Sequence, residues 1–229
     1  MKKIINENIE NLTTNFKDTF LCSIKKCEKQ DSINIGLSGW SSINHFYKVF
    51  SQIFEKLDLE TRNKINFCFI DERVVDFNNN DSSYKSINEV FLKELIENWY
   101  INNSQIILPD FDLENFSKDY YQKVKKIDIG LFWSWEDGHT ASLFPNHKLL
   151  LDESVWYLEI TDSPKPPRNR ITVSKNLIKN INESYVFFIW EWKRDAFINF
   201  LDENIDYTNC PVKIIKSNEN LYLYSDIII

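Results

Sequence analysis

Four short apolar runs, separated by stretches of helical periodicity, constrain this chain more than any other feature. Residues 33–37 (INIGL), 65–70 (INFCFI), 127–132 (IDIGLF) and 184–190 (SYVFFIW) are largely apolar rather than alternating. That pattern belongs to strands covered on both faces. Ile9, Leu12, Phe16, Phe20, Ile24 and Cys27 fall three or four apart in segment 7–28. Ile43, Phe46, Tyr47, Phe50, Ile53, Phe54 and Leu57 do the same in segment 42–57. Both spacings predict one buried helical face. Segments 83–98, 113–125 and 193–202 also read as helices. Residues 1–15 read as polar and helix-like, 154–160 as extended, and 211–215 and 221–224 as late short strands. Pro164, Pro166 and Pro167 mark a loop. Strands alternating with helices predict an α/β fold: a mostly parallel sheet flanked by helices, Rossmann-like and doubly wound, in a single domain over 1–229. Ligands of such sheets bind beyond the carboxyl ends of the strands. The segments following residues 37, 70 and 131 are therefore where function is expected.

Composition narrows the class. The chain has 229 residues, 43% of them hydrophobic and 27% charged, as in an ordinary water-soluble protein. No apolar run approaches the roughly 18 residues that span a bilayer. Residues 1–15 contain no apolar stretch of the signal-peptide kind, so a cytoplasmic location and no membrane contact are expected. A formal net charge of −7 argues against a nucleic-acid partner. Cys22, Cys27, Cys68 and Cys210 form no CxxC pair, so reduced, buried thiols are expected and neither a disulfide framework nor a metal site. Nothing in the sequence calls for an obligate protein partner.

Chemistry concentrates in four segments. Ser38-Gly39-Trp40-Ser41-Ser42 follows a strand and precedes a helix. Small residues there let backbone N–H groups approach a phosphate, although an ordinary helix cap would look similar. Asp71-Glu72-Arg73 closes the second strand, where a guanidinium can face an oxyanion with forked donors. Glu136-Asp137-Gly138-His139 follows the third strand, just before an expected helix. Asp137 there can fix the tautomer of His139, and a neutral imidazole can take a proton from water. His45 and His147 lack such a setting and read as surface or helix residues. Ser163 to Thr172 carries Lys165, Arg168 and Arg170 in six residues on a proline-stiffened loop, a local anion site on an acidic protein.

Together these segments resemble the 6-phosphogluconolactonase family, within the larger group that includes the glucosamine-6-phosphate deaminases. The family patterns are a Gly-Gly-Ser loop, DER-x-V, DGHTASLFP and SPKPP-x-x-R-I-T. They match residues 38–42 in part, 71–75 and 163–172 well, and 137–145 fully. Asp81-Ser82-Ser83-Tyr84 resembles the family's DSNY, and Lys193 falls where the family has a lysine after a glycine-containing turn. The resemblance runs from about 33 to 200. It implies a hydrolase acting on 6-phospho-D-glucono-1,5-lactone, a small phosphosugar, in the oxidative pentose phosphate route, without metal or organic cofactor. His139 would be the base and Asp137 its support. Arg73 and Lys165 would bind phosphate or the developing oxyanion, with Asp71 beside Arg73 in the same segment. Arg170 and the loop Ser38, Gly39, Trp40, Ser41, Ser42 would hold the 6-phosphate. Two alternatives stay open: an amino-sugar-phosphate deaminase, and a phosphosugar-binding protein without turnover.

The departures from the family share one form. Its pattern has glycine where this chain has Trp40, Trp133, Trp135 and Trp190. The chain holds 4 glycines, where ordinary usage of about 7% would give roughly 16, and 7 tryptophans. An expectation follows: several of these tryptophans stand for glycine, through a codon (UGA) that different genetic codes read as one or the other. Trp99, Trp156 and Trp192 also lie where a turn, a strand start and a loop would accept glycine.

Overall fold

The computed structural model describes residues 2–39 and 44–228. Trp40, Ser41 and Ser42 of the expected phosphate loop therefore lie outside the described residues. Six parallel strands form the main sheet in the order β1-β9-β8-β5-β2-β3. They are β1 (Lys2–Asn6), β2 (Ile33–Leu37), β3 (Ile65–Phe69), β5 (Ile129–Trp133), β8 (Glu183–Phe188) and β9 (Asn220–Ser225). A second, antiparallel sheet runs β4 (Asp71–Arg73), β7 (Arg170–Val173), β6 (Tyr157–Ile160). The fold is α/β, with helices on both faces of the parallel sheet.

The sequence pattern explains the layers. Every residue of β2, β5 and β8 is buried, which is why those runs are largely apolar, with Asn34, Glu183 and Ser184 as buried polar exceptions. The helix Ile9–Lys26 starts at Asn8, whose side chain accepts from the Asn11 N–H, and it buries Leu12, Phe16, Phe20 and Ile24 against one face. Phe46, Phe50, Phe67 and Phe91 join that core. The opposite face packs Phe132, Val186 and Phe188 against Tyr120, Ile178, Phe197 and Phe200. The Tyr157 hydroxyl donates to the Phe69 carbonyl and so ties the small sheet to the large one. No helix among the described residues is long and apolar enough to cross a membrane.

Several local expectations are corrected. Residues 2–6 form an edge strand paired with β9, not part of a helix. Residues 211–217 form a 3-10 turn rather than a strand, since Pro211 has no N–H for a ladder. The stripe of 42–57 is split into Asn44–Tyr47 and Phe50–Glu55. No helix follows His139: Ala141 has φ of +52°, and the Ser142 N–H donates to the Thr172 hydroxyl rather than up a helix. Segments 71–73 and 170–173, read as a strand end and a loop, pair as β4 and β7. Cys22 is exposed, while Cys27, Cys68 and Cys210 are buried; all four are unpaired thiols.

Candidate active site

The chain order of the parallel strands reverses between β2 and β5. Such a switch point opens a crevice at the carboxyl ends of the two strands. Here the crevice is lined by Ser38 and Gly39 after β2, Trp133 and Trp135 at and after β5, Asp71 and Arg73 of β4, Arg170 of β7, and Ala141. Gly39 is required by proximity: a Cβ there would lie 2.4 Å from the Ser83 Cβ.

Glu72 anchors the floor. It is fully buried and accepts from the backbone N–H groups of Arg73, Ser83 and Tyr84 and from the Ser82 hydroxyl. Burial pushes its carboxyl above the usual range, against the pull of those donors. Its neighbours turn inward. The Ser142 hydroxyl donates to Asp71 Oδ2 at 2.7 Å and accepts from Arg170 Nη1 at 3.3 Å. The other Arg170 donors go to the carbonyls of Pro167, Lys165 and Pro166. Burial, followed by the opposing effect of Asp71 and the charge of Arg73, leaves the Arg170 guanidinium at about 10. Arg73 donates through Nη1 to the Asp81 carbonyl, while its Nε is buried without a hydrogen-bond partner.

His139 packs against Trp135 of the crevice and is only 1% exposed. Its Nδ1 lies 2.6 Å from Asp137 Oδ1, and its backbone N–H donates to the same oxygen at 3.1 Å. Gly138 makes the tight turn, with φ of +79°. Burial pulls the imidazole below the ordinary histidine range, opposed by Asp137, so it is neutral near pH 7. Burial raises the Asp137 carboxyl, but the hydrogen bonds and charge of His139, with Lys165, bring it down to about 2. An ionised Asp137 accepts the Nδ1 proton and leaves Nε2 as the basic nitrogen. Lys165 Nζ sits 3.6 Å from Glu136 and 3.9 Å from Asp137.

Four separate segments thus meet here: Ser38, Gly39, Asp71, Arg73 and Arg170 line the crevice, while His139, with Asp137, and Lys165 pack on Trp135 beside it. His45 is an exposed helical residue and His147 caps a short turn while facing Asp162, both away from it. Three contributors lie in family-matching segments but were assigned no role from the sequence. Glu72 and Ser142 are organisers whose roles depend on chain reversals. Lys193 is fully buried, and its Nζ has no hydrogen-bond partner. Its match to the family's lysine after a glycine-containing turn was the only hint. The buried side-chain polar atoms without partners among the described residues are Ser38 Oγ, Arg73 Nε, Ser83 Oγ, Trp133 Nε1 and Lys193 Nζ. All of them belong to the segments that build this crevice.

The fold is an α/β sheet with a switch-point crevice lined by the guanidiniums of Arg73 and Arg170, and a carboxylate-backed imidazole stands next to its Trp135 wall. The family can be stated as well: the model for glucosamine-6-phosphate isomerases/6-phosphogluconolactonase matches residues 7–223, and the chain belongs to that family. A 6-phosphogluconolactonase of Borreliella burgdorferi is 28% identical over 87% of this chain and 86% of its own. A probable 6-phosphogluconolactonase of Drosophila melanogaster is 34% identical over 69% of this chain and 64% of its own. The crystal structure of 6-phosphogluconolactonase from Leishmania guyanensis has the same fold, with a TM-score of 0.80 at 20% identity over 98% and 96% of the two chains.

Proposed function

We propose that this chain, as a single domain, hydrolyses 6-phospho-D-glucono-1,5-lactone to 6-phosphogluconate. The observation that carries the reading is the buried His139, held neutral and fixed by Asp137 at 2.6 Å, with its ring stacked on Trp135 of the crevice that Arg73 and Arg170 line. Nε2 takes a proton from water as the oxygen attacks the lactone carbonyl. Arg73 stabilises the oxyanion that forms. The tetrahedral intermediate collapses, the ring C–O bond breaks, and the ring oxygen leaves with the proton from His139. Arg170, Lys165 and the backbone after β2 hold the 6-phosphate, and Asp71 and Ser142 fix the Arg170 fork. This chemistry calls for no metal and no organic cofactor. The product is that of the lactone step in the oxidative pentose phosphate route, a cytoplasmic role.

The test is appearance of 6-phosphogluconate above the spontaneous rate when enzyme meets fresh lactone. Release of ammonia from glucosamine 6-phosphate instead would favour a deaminase. A second reading, phosphosugar binding without turnover, is supported by the crevice itself, whose enclosed space is only about 20 Å³ beside Trp133 and Trp135. Calorimetric binding of 6-phosphogluconate without lactone hydrolysis would favour it.

A further inference from the structure

Two tryptophans occupy backbone that glycine takes readily and an indole-bearing residue does not. Trp190 has φ of +78° and ψ of +139°, a region used almost only by glycine. Hydrogen bonds fix it there: its N–H donates to Asp226 Oδ1 at 2.7 Å, and its carbonyl accepts from the Lys193 N–H at 3.0 Å. Trp99, with φ of +58°, follows the helix Lys93–Glu97 and its cap Asn98. Its N–H donates to the Ile96 carbonyl and the Tyr100 N–H to the Leu95 carbonyl. These are the two bonds of a Schellman helix end, and Trp99 is the left-handed residue that is usually glycine. Its side chain is 87% exposed, so packing does not compensate. Among the described residues, two of the five non-glycine residues with positive φ are tryptophan, although tryptophan is 7 of 229.

Two more tryptophans obstruct the crevice. Trp133 ends β5 with its Nε1 buried and unpartnered, and its ring lies under the Lys193 ammonium at 2.9 Å from the centroid. That separation is short even for a cation on a ring, and Lys193 has no hydrogen bond to offset its burial. The Trp135 indole stacks on the His139 imidazole at 5.3 Å and 14° between planes, and Lys165 Nζ lies 4.3 Å from the Trp135 ring centroid. With both indoles removed, Lys193 and His139 would face one open space at the switch point.

We propose that positions 99, 133, 135 and 190 are glycine in the working polypeptide, through a codon read as glycine by the source cell and as tryptophan in this sequence. Lys193 then becomes a fourth cation of the anion site. The backbone part stands by itself, while the role of the open crevice rests on the lactonase reading above.

Peptide masses of the protein purified from its own cells decide the residue directly: glycine at 99 and 190 is expected, and tryptophan at these sites overturns the proposal. Recombinant chains give a second readout. Exchange of an exposed large residue for glycine ordinarily lowers Tm, but relief of two left-handed residues should make Trp99→Gly/Trp190→Gly more stable by about 4–8 °C. A lower Tm for this pair overturns the assignment. Adding Trp133→Gly/Trp135→Gly should raise lactone turnover at least ~100-fold over the chain with tryptophan. A stabilised four-glycine chain that leaves the lactone untouched would sink the lactonase reading while leaving the glycine assignment in force.

Discussion

The two walls of the crevice obey opposite rules. On the wall of β4, β7 and residues 137–142, the polar groups form a chain of contacts, with Arg73 Nε the one buried exception among the described residues. Asp71 takes the Ser142 hydroxyl, Ser142 takes Arg170, Arg170 also donates to three carbonyls, and Asp137 holds His139. At Trp133 and the Lys193 packed on it, an indole N–H and a lysine amine are buried without hydrogen bonds, next to Trp190 in a glycine conformation. Each such unsatisfied buried group costs about 1–3 kcal/mol, more when charged. In the reading proposed above, the first wall serves an anion and a proton, and the second is what remains when residues of the wrong size stand on a backbone suited to glycine.

This contrast can be broken at several points. The largest effect is expected at His139. In the chain with glycine at 99, 133, 135 and 190, His139→Asn should lower kcat by ~10³-fold with KM nearly unchanged, because only proton transfer is removed. Steady-state kinetics on fresh lactone checks this, and an undiminished kcat would remove His139 from its role. Next is Arg170. Arg170→Ala deletes a charge-assisted fork and should raise KM by roughly 10–100-fold, with Arg170→Lys in between because an ammonium cannot reproduce the fork. Equal KM in all three would show that the satisfied wall does not bind phosphate.

Lys193 probes the other wall. In the chain with tryptophan, burial drives its ammonium down to about 5. Its folded-state value lies below the unfolded one, so the fold loses stability as pH falls from the ordinary lysine range toward 5. Lys193→Met should therefore raise Tm by several degrees at pH 7, and the gain should shrink as pH approaches about 10.4. A loss of Tm at pH 7 would show that the buried lysine is paired after all. The smallest effect concerns pH and His139. Its depressed value keeps the base unprotonated below the ordinary histidine midpoint, so the acid limb of kcat/KM should lie below about 6.5. The stability contribution has the same sign, lost as pH falls through the folded value. An acid limb above 6.5 would contradict the burial of the imidazole.

Much of this was legible in the residues. The apolar runs at 33–37, 65–70, 127–132 and 184–190 predicted the buried parallel strands, because a strand covered on both faces has no polar side to show. Edge strand β1 was not legible, since its sequence KKIIN has no such pattern and its pairing partner lies more than 200 residues away. The small sheet was hidden for a related reason. The segments of Asp71, Arg73 and Arg170 read as a strand end and a loop, yet they pair as strands and Arg170 is 4% exposed, because two distant segments meet and bring their charges together.

The sequence by itself determined the strand-helix alternation, the segments that carry chemistry and the excess of tryptophan over glycine. These are local properties of spacing and residue type. Only the tertiary structure decided that Asp71, Ser142 and Arg170 form one network, that Lys193 is buried against Trp133, and that Trp99 and Trp190 stand on left-handed backbone. Networks and burial depend on which distant segments meet, and φ at a turn is set by the hydrogen bonds that close it. Those bonds at residues 99 and 190 turn a compositional oddity into a statement about which residue the backbone accepts.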